Sequence, residues 1–363
     1  MKVSVYMTSK KIQARLLLAI LLCLSFFIGI GQVSASAANF SVNTIIPENQ
    51  IDKSKTYFNL KMGPDQRQFI TTTLKNETEK AVTVEVSLNS AKTNANGLIE
   101  YGNNTIKKDA SLAYPLDTLM TGPTSVVIPA HESKDAIFQI TMPSQSFDGI
   151  ILGGLTFQQK SSEVTQDASK AGTSVQNEYA YAVAVVLRET DTPVFPNLNL
   201  LTVKPGQENY RNVIITTIQN DQAAILSDVK VDAAIYAKNG KKPVYSSTKN
   251  DLQVAPNSSW VYPISLENTK MEAGTYTLRM TVSGTSANKS KTWTFSKTFK
   301  IAEKEARELN KSAVDVKANT NAKSINWLLI AVICLIILVV ILILLFLLKN
   351  KREKQSVDTN SHD

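Results

Sequence analysis

The sequence predicts an all-β chain: two β-sandwiches in tandem, then a polar stalk and one C-terminal transmembrane helix. Three observations carry this. Apolar and polar residues alternate along most of the chain, similar turn residues recur in the same order in its two halves, and Trp327 to Leu348 contains neither charge nor proline.

At the N-terminus, Lys2, Lys10, Lys11 and Arg15 precede an uncharged run from Leu16 to Gly31 and small residues ending in Ala35-Ser36-Ala37. That order is a secretory signal, residues 1–37, cut after Ala37. Cys23 lies inside the apolar run behind Leu21-Leu22 with no small residue beside it, which argues against a lipid-modified start.

The first sandwich is expected over residues 38–190 and the second over 191–303. Val82, Val84, Val86 and Leu88 alternate with polar residues, as do Phe138, Ile140 and Met142. In the second half, Val229, Val231, Ala233 and Ile235 do the same, followed by Tyr276, Leu278, Met280 and Val282. A period of two with one polar face suits antiparallel sheets packed face to face.

The halves resemble each other in order. Thr72-Thr73-Leu74-Lys75-Asn76 and Thr216-Thr217-Ile218-Gln219-Asn220 each end a strand that follows a Pro-containing turn, at Pro64 or Pro205. Turns at Ile128-Pro129-Ala130-His131 and Ala255-Pro256-Asn257-Ser258 come next, then Phe147-Asp148-Gly149 and Glu272-Ala273-Gly274 open further strands. This reads as a divergent duplication of an immunoglobulin-like unit. By the repeat, Tyr179 to Leu187 closes the first copy after a polar loop from Gln158 to Glu178, and the junction falls near Pro193 to Pro196. Residues 304–326 form the stalk; the stretch from Ile301 to Ser324 is polar, and Glu303, Lys304, Glu305, Arg307 and Glu308 at its start predict a short helix.

The 22 residues from Trp327 to Leu348 reach about 33 Å as a helix, enough for a bilayer core. Lys349, Lys351, Arg352 and Lys354 follow at once, placing residues 349–363 in the cytoplasm by the positive-inside rule. Of the formal charge of +8, the signal holds +4 and the tail +1, so the basic balance is mostly targeting and implies no nucleic acid. Cys23 and Cys334 both sit in apolar segments, leaving the exported part without a disulfide. This favours a bacterial surface, and a single exposed membrane suits a Gram-positive cell. The triplets Asn76-Glu77-Thr78 and Asn257-Ser258-Ser259 match glycosylation sequons, read here as chance.

The segments Pro47 to Gln50, Ala91 to Gly97 with Tyr101, Phe147 to Gly154, Ile218 to Asn220, Ala255 to Ser258 and Ala273 to Tyr276 together resemble the WxL-interacting cell-surface proteins of low-GC Gram-positive bacteria. The resemblance covers nearly the whole chain. It implies an N-terminal peptidoglycan-binding domain, a second domain that binds host proteins, and partners that carry WxL motifs; in the family the boundary falls nearer Gln158 to Gln166. Trp327-Leu328-Leu329 spells WxL inside the apolar run and is read as chance, and no Leu-Pro-x-Thr-Gly sorting sequence precedes it.

A glycan site needs amide or carboxylate groups beside aromatic rings. Asn94, Asn96, Glu100 and Tyr101 supply that mixture on an expected loop, with Asp148 beside Gly149 as a further candidate. The alternative is a plain turn, with Asn96-Gly97 supplying positive φ and Tyr101 returning to the core. For a protein partner, Trp260, expected at a loop edge, and Tyr262 are the aromatic candidates, whereas Trp293 alternates with Phe295 as core. Enzyme chemistry finds little: His131 is the one histidine between signal and tail, so His-based triads with a second His and HExxH zinc sites cannot be assembled. A glycosidase carboxylate pair remains open by residue type, since sequence gives no separation. No catalytic residue, metal or cofactor is expected. Two functions follow: an adaptor that joins peptidoglycan to a host matrix or WxL-bearing protein, or a membrane-tethered, chaperone-like assembly component that adds strands to exported subunits.

Overall fold

A computed structural model of the chain describes residues 39–160 and 179–314. The expected signal, transmembrane helix and tail lie outside the described residues, as do most of the polar loop and of the stalk. Among the described residues no helix is long and apolar enough to cross a membrane.

In the first sandwich, β1 (Phe40–Ile45), β3 (Arg67–Asn76), β9 (Ser133–Thr141) and β7 (Met120–Thr121) form one sheet in the order β1-β3-β9-β7. The other runs β2-β11-β10-β4-β8, from β2 (Phe58–Lys61), β4 (Val82–Ser90), β8 (Ser125–Ile128), β10 (Ile151–Gln159) and β11 (Ala180–Arg188). The strands alternate because one face must bury its side chains: on β3, Ile70, Thr72 and Leu74 point inward while Phe69, Thr71 and Thr73 point out. Phe138 and Phe157, from opposite sheets, meet edge to face with centroids 6.3 Å apart in the core. A small hairpin of β5 (Lys92–Thr93) and β6 (Ile99–Glu100) and a single helical turn, α1 (Leu116–Leu119), lie between β4 and β7.

In the second sandwich, β12 (Leu198–Glu208), β13 (Arg211–Asn220) and β16 (Ser258–Ser265) face a sheet ordered β15-β14-β17-β18. The latter comprises β14 (Leu226–Ala237), β15 (Tyr245–Val254), β17 (Gly274–Ser286) and β18 (Lys289–Ile301). Its pairings repeat the first: β12-β13-β16 answers β1-β3-β9, and β14-β17-β18 answers β4-β10-β11.

Two sequence expectations need adjusting. Pro205 is not in a turn but inside β12, opposite Ile214. An edge strand tolerates proline, because its outward N–H has no partner to lose. The turn lies at Asn209-Tyr210, both at positive φ (49° and 59°). The predicted helix forms as α2 (Glu303–Ser312), but this part of the expected stalk is docked on the second sandwich. Ala306 and Ala313 are buried, Leu309 packs on the core, and Asn310 Oδ1 accepts from Asn212 Nδ2 and the Met271 amide, both at 2.8 Å.

Candidate binding surfaces and the seam between the sandwiches

The loop expected to carry glycan contacts folds as the β5–β6 hairpin against the second sandwich. Asn94 Oδ1 accepts from the amides of Asn96 (3.0 Å) and Leu98 (3.1 Å), closing the turn. Gly97 there has φ +73°, and a Cβ on it would stand 2.9 Å from Leu252. Its carbonyl accepts from the Gln253 amide at 2.7 Å, and Thr93 Oγ1 accepts from the Ala255 amide at 2.9 Å. Tyr101 lies over Gly154, where a Cβ would come within 2.8 Å of it, and joins Ala91, Leu152, Val186 and Ala255 in an apolar cluster spanning both sandwiches. Desolvation, with a smaller contribution from Tyr57, pushes its phenol pKa up. Glu100 is half-buried opposite Lys92, Asn96 is exposed, and Asp148 is exposed on a different loop, accepting from Thr190 Oγ1. Beside Asp148, Gly149 (φ +86°) presses on Ala223, whose carbonyl oxygen would lie 2.4 Å from an added Cβ and accepts from the Ile150 amide at 2.9 Å. Gly97 and Gly149 thus admit close approach of the second sandwich, whereas Gly154 makes room for Tyr101 of the first.

Sequence reasoning missed Asp109, a hub of this seam. Its Oδ1 accepts from Ser111 (amide 2.9 Å, hydroxyl 2.8 Å) and from Gln219 Nε2 (2.8 Å) across the boundary, while Oδ2 accepts from Ser259 Oγ. Burial pushes this carboxyl up, but the bonds from Ser259, Ser111 and Gln219 together outweigh it and hold its pKa below the ordinary value. An Asp two residues before a Ser signals a local turn; nothing in the sequence announces its distant partners.

Trp260 and Tyr262 are corrected from surface anchors to core: both are 0% exposed. On β16 the inward positions fall at Trp260, Tyr262 and Ile264, so strand alternation carries both rings inside. They meet edge to face at 5.2 Å, and the Tyr262 hydroxyl reaches Ser247 Oγ at 2.8 Å. His131 is exposed in its turn with φ 58° and faces Glu79.

One open face remains on the first sandwich. The outer side of β1-β3-β9-β7 carries Ile45, Phe69 and Ile137, 53%, 66% and 52% exposed. The register sets Ile45, Thr71 and Ile137 in one row, Phe69, Gln139 and Thr121 in the next, and Asn43, Thr73 and Asp135 on the other side. Thr73 Oγ1 donates to Asp135 at 2.7 Å. Among the described residues, no group of His, Cys, Asp and Glu could hold a metal ion.

Two β-sandwiches fastened across a bonded seam, one keeping an open apolar face, define a two-module β-sandwich protein. The chain belongs to the WxL Interacting Protein family: the family's peptidoglycan binding domain matches residues 40–159 and its host binding domain residues 170–311. No curated protein matches the sequence. Solved structures with some likeness include the CupB2 chaperone of Pseudomonas aeruginosa, at 11% identity and TM-score 0.27, covering 64% of this chain and 94% of that one. The E. coli chaperone DraB has 12% identity and TM-score 0.27, covering 74% and 98%. The class 5 fimbriae chaperone CfaA has 14% identity and TM-score 0.28, covering 71% and 99%. Likeness at these scores carries no argument about architecture or function.

Proposed function

We propose that the protein is a non-catalytic cell-surface adaptor whose first sandwich holds peptidoglycan without a covalent bond and whose second receives a protein, either host matrix or a WxL-bearing surface protein. The observation that supports this most is the coincidence of the two family matches with two sandwiches fastened at a seam. A load taken by one module passes directly to the other. The signal exports the chain and the apolar run from Trp327 to Leu348 tethers it. The 12 residues between Val314 and Trp327 span at most about 45 Å, which keeps the second sandwich near the membrane.

We draw the domain boundary between Arg188 and Leu198, later than the family matches, because β11 pairs with β10 and β2 of the first sandwich. Both modules read as divergent copies of one immunoglobulin-like unit.

The test is sedimentation of the detergent-solubilised full chain with insoluble peptidoglycan. The adaptor reading expects retention on the wall without release of soluble sugar. Partner-protein complexes with an empty wall fraction would instead favour an assembly role, and released sugar an enzyme.

A further inference from the structure

We infer that the glycan strand of peptidoglycan lies across the outer face of β1-β3-β9-β7, stacked on Phe69; this rests on the proposed binding of peptidoglycan by the first sandwich. All four strands fall within residues 40–159, the span matched by the peptidoglycan binding domain, whereas the opposite sheet includes β11, which lies outside that match. The outer face of that opposite sheet is also partly taken: Leu152 and Val186 are buried in the seam cluster and Tyr101 covers Gly154.

The open face has an unusual composition. Outward positions of a half-buried sheet ordinarily carry polar side chains, and here Ile45 and Ile137 flank Phe69 diagonally from the strands on either side, within the roughly 7–8 Å reach of such pairs. A contiguous apolar patch ringed by polar groups marks a binding surface more often than a scattered residue does. Its polar ring has the functional groups an N-acetylated sugar polymer requires. The Phe69 ring offers a surface for an apolar sugar face, Gln139 and Asn43 offer amides to the N-acetyl groups, and Thr71, Thr121 and Thr73 offer hydroxyls. Arg67, exposed on the same side of β3, is placed for a carboxylate of the polymer. Neighbouring strands about 4.8 Å apart make a shallow platform, which fits an extended polymer better than a small molecule.

The substituted side chains are exposed, so binding and folding can be separated. Full-length protein in detergent is sedimented with insoluble peptidoglycan, alongside Phe69→Tyr, the double variant Phe69→Thr/Ile137→Thr, and Val127→Thr, a 58% exposed valine on β8 of the other sheet. The double variant should melt like the parent and bind at least about tenfold more weakly, with Phe69→Tyr and Val127→Thr near the parent. Chitotetraose, a glycan without peptide, should displace the parent, and a free stem tetrapeptide should not. The inference is overturned if the double variant binds like the parent, if Val127→Thr loses as much, or if only the stem peptide competes. A parent that does not sediment at all removes the peptidoglycan reading itself, and this face with it.

Discussion

Asn76 and Asn220 stand at the same place in the two sandwiches and make the same bonds. Each is fully buried at the end of its strand, and its Nδ2 donates to the carbonyl four residues ahead, Lys80 or Ala224, at 2.8 Å. Each also reaches the carbonyl of the later turn, Ile128 or Ala255, at 3.0 Å. Asn220→Ala should therefore orphan buried carbonyls and lower the stability of the second sandwich by about 1–3 kcal/mol per group, read as a shift in urea midpoint; a change under about 0.5 kcal/mol would refute that role. The same burial makes Asn76 a poor glycosylation acceptor. These asparagines were legible because they recur after matching Thr-Thr pairs. Trp260 was legible too, had alternation been followed through Tyr262 and Ile264; the preceding Pro-Asn-Ser turn drew it toward the surface instead. Trp260→Ala should cost about 3–5 kcal/mol in unfolding experiments, and loss of a partner while the fold keeps its parent stability would restore the anchor role.

At the scale of elements, strands were readable from their period of two, whereas the partners of the loops between them were not. The β5–β6 hairpin and the Asp109 loop have ordinary turn sequences, and only the tertiary arrangement sets them against β13, β15 and β16. Gly149→Ala would place a methyl group 2.4 Å from the Ala223 carbonyl oxygen at a φ of +86°. The expected result is two folded sandwiches with a loosened seam, seen as a larger radius of gyration in small-angle scattering; an unchanged radius would show that the seam tolerates the methyl. Acid should act on the same seam. Asp109 ionises in the folded chain below the roughly 3.9 of a free aspartate. Its contribution is therefore full above that value and is lost as the pH falls through the lower folded value. Scattering should show loosening below about pH 4, and Asp109→Asn should already be looser at neutral pH with less further change in acid. An identical acid response in both proteins would remove Asp109 from the seam.

In the whole molecule one strand order serves twice, β12-β13-β16 answering β1-β3-β9 and β14-β17-β18 answering β4-β10-β11. The open face of the first sandwich escaped sequence reading because Phe69 and Ile137 look like core residues in isolation, and only the register turns them outward together. The counterpart sheet of the second sandwich, β12-β13-β16, carries Ile215 and a 41% exposed Val261 on its outer face but no aromatic ring there. Division of labour between the modules is what the proposed function asserts. Hydrogen–deuterium exchange of the full chain with and without enzymatically solubilised peptidoglycan glycan tests it most directly. Protection should appear along Phe40–Ile45, Arg67–Asn76 and Ser133–Thr141 and leave Gly274–Ile301 unchanged; protection confined to the second sandwich would contradict it.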